Sequence, residues 1–377
     1  MLGFFKKNKE KNTSELMTTV KDQKGSKARF HKLKVIDVRS ETEECVSVSF
    51  EVPDGDMFCF VPGQYLTIKK TINGEELRRS YSLCSSPLDG ELRIAIKRVP
   101  EGRFSTWATT VLRVGDILDV MPPTGSFTLE VDTETTEDFV GFAAGSGITP
   151  VLSMIKTVLK SSLTSKFILF YGNKKTNSII FKRELEDLKD TYIGRLEVHH
   201  VLSREDQGND LLFGRIDAGR SKSLIEKLPS SIKPKGYFLC GPEEMIHSVS
   251  DSLKDSGAEA RRIHFELFST NQVAVKTKEK KGAKGPSSSV TVILDDEKTH
   301  FEQGPTAFVL DAALDAGADI PYACKGAVCC TCRAKVLEGT VEMSMNYALT
   351  EEEVDDGYVL TCQSMPRSPN VVISFDD

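Results

Sequence analysis

From Phe30 to about Leu129 the chain alternates apolar and polar residues in short runs, as in Val46-Ser-Val-Ser-Phe50, Tyr65-Leu-Thr-Ile68 and Leu92-Arg-Ile-Ala-Ile96. Turn pairs separate them: Asp54-Gly55, Asn73-Gly74 and Asp89-Gly90. A period of two with such punctuation predicts an antiparallel β-barrel or sandwich. After about residue 135 the rhythm changes. Unbroken apolar runs, Phe139–Ala143 and Phe167–Tyr171, alternate with helical patterns; Val151, Leu152, Ile155, Val158 and Leu159 share one helix face. Strand–helix alternation predicts parallel βαβ units. Residues 276–289 are charged, Gly/Ser-containing and aperiodic, which predicts a linker. The expected layout is therefore a tail over 1–28, a β-barrel over 29–132 and an α/β domain over 133–272. A linker over 273–289 and a small module over 290–377 follow.

Composition narrows the function classes. The chain has 377 residues and a formal net charge of −6, which argues against general nucleic-acid binding. No apolar run is long enough to span a membrane. Residues 1–28 read as a disordered, Lys-rich tail; weak contact with a membrane surface through Phe4, Phe5 and the nearby lysines is the alternative. Five of the nine cysteines fall in the last 54 residues, a pattern of an intracellular, cytoplasmic redox or metal site rather than a secreted disulfide framework. Residues 290–377 hold 16 Asp/Glu against 5 Lys/Arg, a net of −11, leaving +5 for the rest. An acidic module beside a mildly basic body suits docking between redox partners.

The acidic module carries the most specific signal. Cys324, Cys329, Cys332 and Cys362 give C-x4-C-x2-C…C, the plant-type spacing for four thiolates around a [2Fe–2S] cluster. Four cysteines also suit structural zinc, but three from one loop at this spacing favour the cluster. Cys330 is left out, because adjacent ligands would have to point in opposite directions. The module resembles a plant-type ferredoxin, which implies an α+β β-grasp fold. Such ferredoxins usually have Gly at the third position after the first cysteine, where Ala327 stands; Gly326 is expected to take the unusual backbone angle.

In the β module, Arg79-Ser80-Tyr81-Ser82 follows Gly63-Gln-Tyr65. On a strand Arg79 and Tyr81 share a side, so an arginine could hold a pyrophosphate while an aromatic covers a flavin ring. Ser82 is placed to bond the flavin nitrogen that receives hydride. Gly102-Arg-Phe104-Ser105 precedes a short helical run and offers a helix N-terminus to the same phosphates. Downstream, Ala143-Ala-Gly145-Ser-Gly147-Ile-Thr149-Pro150 follows an apolar strand and opens a helix. Its two glycines are expected to let the backbone approach a pyrophosphate, with Pro150 in the first helical turn. A G-x-G-x-x-G fingerprint would need Gly at position 150, so the strict dinucleotide motif fails.

These motifs, over about residues 30–270, resemble the ferredoxin–NADP reductase superfamily. The resemblance implies FAD held by Arg79, Tyr81, Ser82, Gly102 and Ser105, with Ser80 and Phe104 in the same strings and Ile96 and Lys97 touching flavin and ribose. Gly145, Gly147, Thr149 and Pro150 match its Gly-x-Gly-Ile-Thr-Pro motif. Cys240-Gly241-Pro-Glu-Glu-Met245 matches its Cys-Gly-Pro motif, which sets Cys240 beside the hydride-donating nicotinamide carbon. Glu266 and Phe268 match its terminal acid and aromatic; Ser82, Cys240 and Glu266 form the expected catalytic set. Ser203-Arg204, with Lys174 and Lys175, suits a 2′-phosphate and implies NADPH rather than NADH. The His199-His200 pair reads as structural. With the C-terminal cluster, the whole resembles the phenylacetyl-CoA epoxidase reductase group and implies electron flow from NADPH through FAD and [2Fe–2S] to a di-iron oxygenase. A reductase for another oxygenase, hydroxylase or desaturase reads the same at these positions. A flavin/iron–sulfur sensor is a second class, against which the intact nicotinamide motifs weigh.

Overall fold

A computed structural model describes residues 29–53, 55–268 and 287–377. The expected tail over 1–28 and most of the expected linker lie outside the described residues. Strand β12 opens at Ser288, inside that linker stretch, because Ser288 pairs with Gln303 and Ser289 with Asn370.

The first unit is a six-stranded antiparallel sheet built from β1 (His31–Thr42), β2 (Cys45–Phe50), β3 (Tyr65–Ile72), β4 (Glu75–Ser82), β5 (Leu92–Lys97) and β6 (Ile117–Val120), in the order β4-β3-β6-β1-β2-β5. Leu83, directly after β4, bridges to Ile94 of β5 and closes the sheet on itself. Alternate residues such as Leu66, Ile68, Leu92, Ile94 and Ile96 fill the barrel core. Asn73 and Gly74 turn β3 into β4 with φ of 52° and 79°, both left-handed, as a two-residue hairpin between twisted strands requires. Helix α1 (Arg103–Thr110) caps the barrel through Phe104 and Ala108.

The second unit is parallel throughout. It comprises β7 (Asp138–Ala144), β8 (Lys166–Asn173), β9 (Leu196–Leu202), β10 (Pro234–Cys240) and β11 (Ile263–Glu266), ordered β11-β10-β7-β8-β9. Helices α2 (Ile148–Ser161), α3 (Lys182–Thr191), α4 (Ala218–Glu226) and α5 (Glu243–Asp255) connect them. Strand order reverses between β7 and β10, and the crevice beyond the carboxyl ends at such a switch point is where open α/β sheets bind ligands. The Gly145 turn follows β7 and Gly241 follows β10, one on each side of the crevice.

The third unit is a mixed sheet of β12 (Ser288–Leu294), β13 (Glu297–Gln303), β14 (Arg333–Glu338), β16 (Tyr358–Leu360) and β18 (Asn370–Ser374), ordered β13-β12-β18-β14-β16, with β12 and β18 parallel. Helix α6 (Val309–Asp315) buries Val309, Leu310 and Ala313 against it. A small hairpin of β15 (Val341–Met343) with β17 (Ser364–Pro366) and a short helix α7 (Glu351–Asp355) complete the β-grasp arrangement.

Candidate functional site

The site lies where the three units meet. β3 and β4 pair as Tyr65↔Ser82, Thr67↔Ser80 and Lys69↔Arg78, so these six residues lie on one face of the hairpin. Arg79 and Tyr81 lie on the other, as the period of two requires. Ser82 Oγ donates to Glu266 Oε2 at 3.2 Å, joining the barrel to the last strand of the parallel sheet. Cys240 is the neighbour of Glu266 across β10 and β11. Ser82, Cys240 and Glu266, distant in sequence, therefore converge. Burial pushes the Glu266 carboxyl up to about 8, against the Ser82 hydrogen bond, which lowers it. Burial, then the nearby Glu266, pushes the Cys240 thiol well up, so it is a neutral thiol rather than a nucleophile.

The other flavin-motif residues divide between surface and core. Arg79 is exposed, with one bond to the Arg78 carbonyl oxygen at 2.7 Å, so its guanidinium keeps donors for an anion. Tyr81 is half-buried and packs its ring on Phe104 with centroids 5.7 Å apart. Phe104 and Ile96 are core side chains, at 1% and 0% exposure, so their contacts to a ligand would run through the backbone. Ser105 Oγ accepts from Val99 N and donates to Gly102 O, which ties the loop before α1. A Cβ on Gly102 would lie 2.4 Å from both Ser105 Oγ and Val99 Cγ2, so only glycine fits this tight loop. Ser80 Oγ bonds Thr67 Oγ1 at 3.1 Å and faces the third unit.

At the switch point the two glycines sit in different surroundings. Gly145 has a φ of +55°, and a Cβ there would meet only Lys97 Nζ at 3.6 Å, so its surface is open. A Cβ on Gly147 would lie 2.1 Å from the Cys240 carbonyl oxygen. Gly147 therefore lets α2 close onto β10. Tyr171 Oη donates to Gly145 O at 2.9 Å and fixes the turn from below. Thr149 and Pro150 are buried in the first turn of α2, and Met245 is buried under Gly241. The edge of the crevice is basic. Ser203 N and Arg204 N bond Asn173 O and Lys174 O, zipping together the loops after β8 and β9. Lys174, Lys175 and Arg204 are exposed there. Phe268 is 41% exposed where the described part of this unit ends.

The cysteine loop gathers the four expected ligands. Cys324 and Cys329 sulfurs are 3.1 Å apart, and Cys362 hydrogen-bonds Cys324 and Cys332. Gly326 N donates to Cys324 Sγ. Hydrogen bonds from Cys329 and Cys362 lower the Cys324 thiol, while the same bonds and burial raise those of Cys329 and Cys362, so the three sulfurs share their protons at close quarters. Three sulfurs from one loop plus that of Cys362, with a backbone N–H turned onto a sulfur, fit a [2Fe–2S] cluster. Cys330 stands apart: its sulfur lies against Ala348 O and Ser126 Oγ, and burial pushes it up to about 12. The loop's strain is not where the sequence places it. Lys325 and Ala327 have φ of 52° and 59°, while Gly326 is not left-handed. The buried β-carbon of Ala327, at 0% exposure, fixes the loop against the module core.

Sequence reasoning misses the residues that join this loop to the barrel. Tyr65 Oη lies 3.2 Å from Thr331 Oγ1 and accepts from Cys330 N at 3.0 Å. Arg78, 7% exposed, reaches Ile320 O and Asp319, and lies 4.2 Å over the Tyr322 ring. The period-two pattern of β3 and β4 carries the signal for both, but not the identity of the surface they meet. The expected charge complementarity is also thin. Among the described residues, the ion pairs that cross to the acidic module are Arg78–Asp319 and Arg29–Asp295. A cleft of about 30 Å³, lined by Tyr65, Phe127, Glu266, Val328, Cys329 and Tyr347, opens between the units.

Comparison with known proteins agrees with this order of units. Residues 32–129 match the oxidoreductase FAD-binding domain family, 142–251 the oxidoreductase NAD-binding domain family and 292–367 the 2Fe-2S iron-sulfur cluster binding domain family. The chain is 42% identical to a component of the 1,2-phenylacetyl-CoA epoxidase of Escherichia coli, over 92% of this chain and 98% of that protein. It is 32% identical to the ferredoxin reductase component of 3-ketosteroid-9-alpha-monooxygenase of Mycobacterium tuberculosis, over 92% and 96%. The fold matches phthalate dioxygenase reductase with a TM-score of 0.58 at 23% identity, over 95% of this chain and 99% of that one. The chain is the reductase component of an oxygenase system. Three domain families in this order, and a relative matched along nearly its whole length, show that it belongs to the phenylacetyl-CoA epoxidase reductase family, within the ferredoxin–NADP reductase superfamily.

Proposed function

We propose that this reductase draws hydride from NADPH and delivers electrons to a di-iron oxygenase of the phenylacetyl-CoA epoxidase type. The observation that carries the reading is the convergence of Ser82, Glu266 and Cys240 beside a cleft that also reaches Cys329. FAD bound here would supply an acceptor for the two electrons of a hydride that can also release them singly, as a [2Fe–2S] cluster would require. The chain's own residues set this up. Arg79 and the α1 N-terminus, with Gly102, hold the FAD pyrophosphate, and Tyr81, backed by Phe104, covers the ring. Ser82 presents its hydroxyl where the hydride arrives, while Glu266 is held neutral by burial. Gly145 receives the nicotinamide nucleotide at the switch point, with Lys97 of the flavin site beside it, and the buried Cys240 seats the nicotinamide ring away from water. Arg204, with Ser203, Lys174 and Lys175, receives the 2′-phosphate.

The cofactor choice is tested by kcat/KM for NADPH and NADH. NADPH is expected to win, and Arg204→Ala to narrow the preference about tenfold or more, the loss of a charge-assisted contact of ~1.5–3 kcal/mol. Equal efficiencies in the parent protein refute it. The acceptor is tested by reconstitution with a di-iron epoxidase and phenylacetyl-CoA, reading substrate-dependent NADPH oxidation. The 32% identity to a 3-ketosteroid monooxygenase reductase supports the second reading, another oxygenase as acceptor. The same assay with that class of oxygenase separates the two.

A further inference from the structure

The contact between the flavin barrel and the cysteine loop is narrow and asymmetric. Tyr65 is 3% exposed and forms a small apolar cluster with Ala323 and Cys329. Its hydroxyl accepts Cys330 N–H, so its own proton is free to go to Thr331 Oγ1. Thr331 Oγ1 also lies 3.4 Å from Thr67 Oγ1 of the barrel. On the other side, Tyr65 is the cross-strand partner of Ser82, which bonds Glu266. The hairpin position beside Ser82 thus reaches the cysteine loop through Tyr65, whose hydroxyl meets Cys330 N and Thr331 Oγ1 and whose ring packs on Cys329. The loop's opposite edge, Cys324 and Lys325, is exposed.

We propose that Tyr65 is the positioning residue that seats the cysteine loop on the flavin barrel, making the Cys329–Thr331 edge the side where electrons enter. The inference rests on the proposed flow from flavin to cluster. Electron transfer falls steeply with distance, and a hydroxyl that fixes both a loop amide and a threonine removes the freedom of that loop to drift. It leaves the Cys324 edge free for an acceptor.

The test is Tyr65→Phe in the full-length protein. The variant keeps the ring in its apolar cluster and removes only the hydroxyl. Anaerobic single-turnover mixing with NADPH reads flavin reduction and cluster bleaching separately. Cluster reduction is expected to slow at least tenfold more than flavin reduction does. In protein freed of its cluster, hydrogen exchange of the Cys330 amide is expected to rise at least tenfold, a local readout independent of turnover. Thr331→Val should reproduce the kinetic defect, Thr331→Ser should not, and the double variant Tyr65→Phe/Thr331→Val should be no worse than either single. If Tyr65→Phe does not fold, the contrast between Val and Ser at Thr331 decides the matter. Parent-like cluster reduction in both Tyr65→Phe and Thr331→Val overturns the proposal. A parent protein whose flavin NADPH does not reduce sinks the functional reading instead.

Discussion

The flavin barrel has two neighbours and holds them in different ways. Against the parallel sheet it shares one core: Cys45, Cys84, Ala95, Phe127 and Leu129 pack into the same cluster as Ile148, Leu152 and Phe167. Buried polar contacts reinforce it. Lys156 lies 2.6 Å from Asp89 of the barrel and 2.8 Å from Glu184, and Lys160 also reaches Asp89. Ser153 Oγ donates to Ser85 O, and Ser86 Oγ bonds Thr157 Oγ1. Against the cysteine module, by contrast, the shared apolar cluster is Tyr65, Ala323 and Cys329, joined by a few hydroxyls and Arg78. The difference follows the chemistry. Hydride transfer needs nicotinamide and flavin in van der Waals contact, so their domains share a core. Single electrons cross small gaps, and a module that must also face an acceptor is better held by a contact that can break.

The first interface should fail hardest. Asp89→Asn leaves the buried Lys156 with Glu184 alone and takes from Lys160 its carboxylate. Breaking a buried ion network is expected to cost about 3 kcal/mol. Urea unfolding monitored by flavin fluorescence should show it, while the content of iron and sulfide stays at the parent level.

Glu266 sits at the seam of both interfaces, and its titration gives the next effect. Its carboxyl titrates at about 8 in the folded chain, against an ordinary value of 4.5. The folded state therefore holds the proton more tightly than the unfolded one. That contribution is complete below pH ~4.5 and is lost as pH rises to about 8. Between pH 5 and 8 the parent should lose on the order of 3 kcal/mol that Glu266→Gln does not lose. The measurement is the difference in urea midpoint between the two proteins across that range, in which the other titrating groups cancel.

How much of this was legible in the sequence differs by kind of feature. The barrel strands, the parallel βαβ order and the gathering of the loop cysteines follow from periodicity and spacing, which are local. So does the buried face of α2, where Val151, Leu152, Ile155, Val158 and Leu159 are all inside. What failed to show is what depends on a partner from another unit. Gly147 reads as a phosphate glycine, and its close packing against the Cys240 carbonyl shows only in the structure. Tyr65 reads as a strand aromatic until Thr331 meets it. Lys325 and Ala327 carry left-handed backbone that no propensity at those positions announces.

The second interface should break more gently. Arg78→Ala removes the carbonyl bond to Ile320, the pair with the exposed Asp319 and the stacking on Tyr322. Cation–π and charged hydrogen bonds of this kind sum to ~1–2 kcal/mol, discounted for the exposed partner. The signature sets it apart from Asp89→Asn. Global stability should change little, while reduction of the cluster by the flavin slows and becomes more sensitive to salt. A loss of global stability as large as that of Asp89→Asn would show that the two interfaces are equally firm.

The smallest effect tests the loop that the second interface holds. Ala327 stands left-handed, which costs an alanine ~1–2 kcal/mol. Ala327→Gly would relieve that strain, yet two terms oppose the gain. Its methyl is fully buried in the module core, worth ~0.8 kcal/mol, and glycine adds ~0.4–1 kcal/mol of unfolded-state entropy. The terms nearly cancel. Ala327→Gly should therefore shift stability by under about 1 kcal/mol in either direction and leave cluster absorbance unchanged. Ala327→Val keeps the buried apolar character but puts a β-branched side chain at φ of 59°, where it is a genuine outlier. It should lose the cluster or assemble it poorly, read as iron and acid-labile sulfide per chain. A valine variant that holds its cluster as the parent does would mean that the loop adjusts its backbone freely, and that the strain at Ala327 is not what sets the loop's shape.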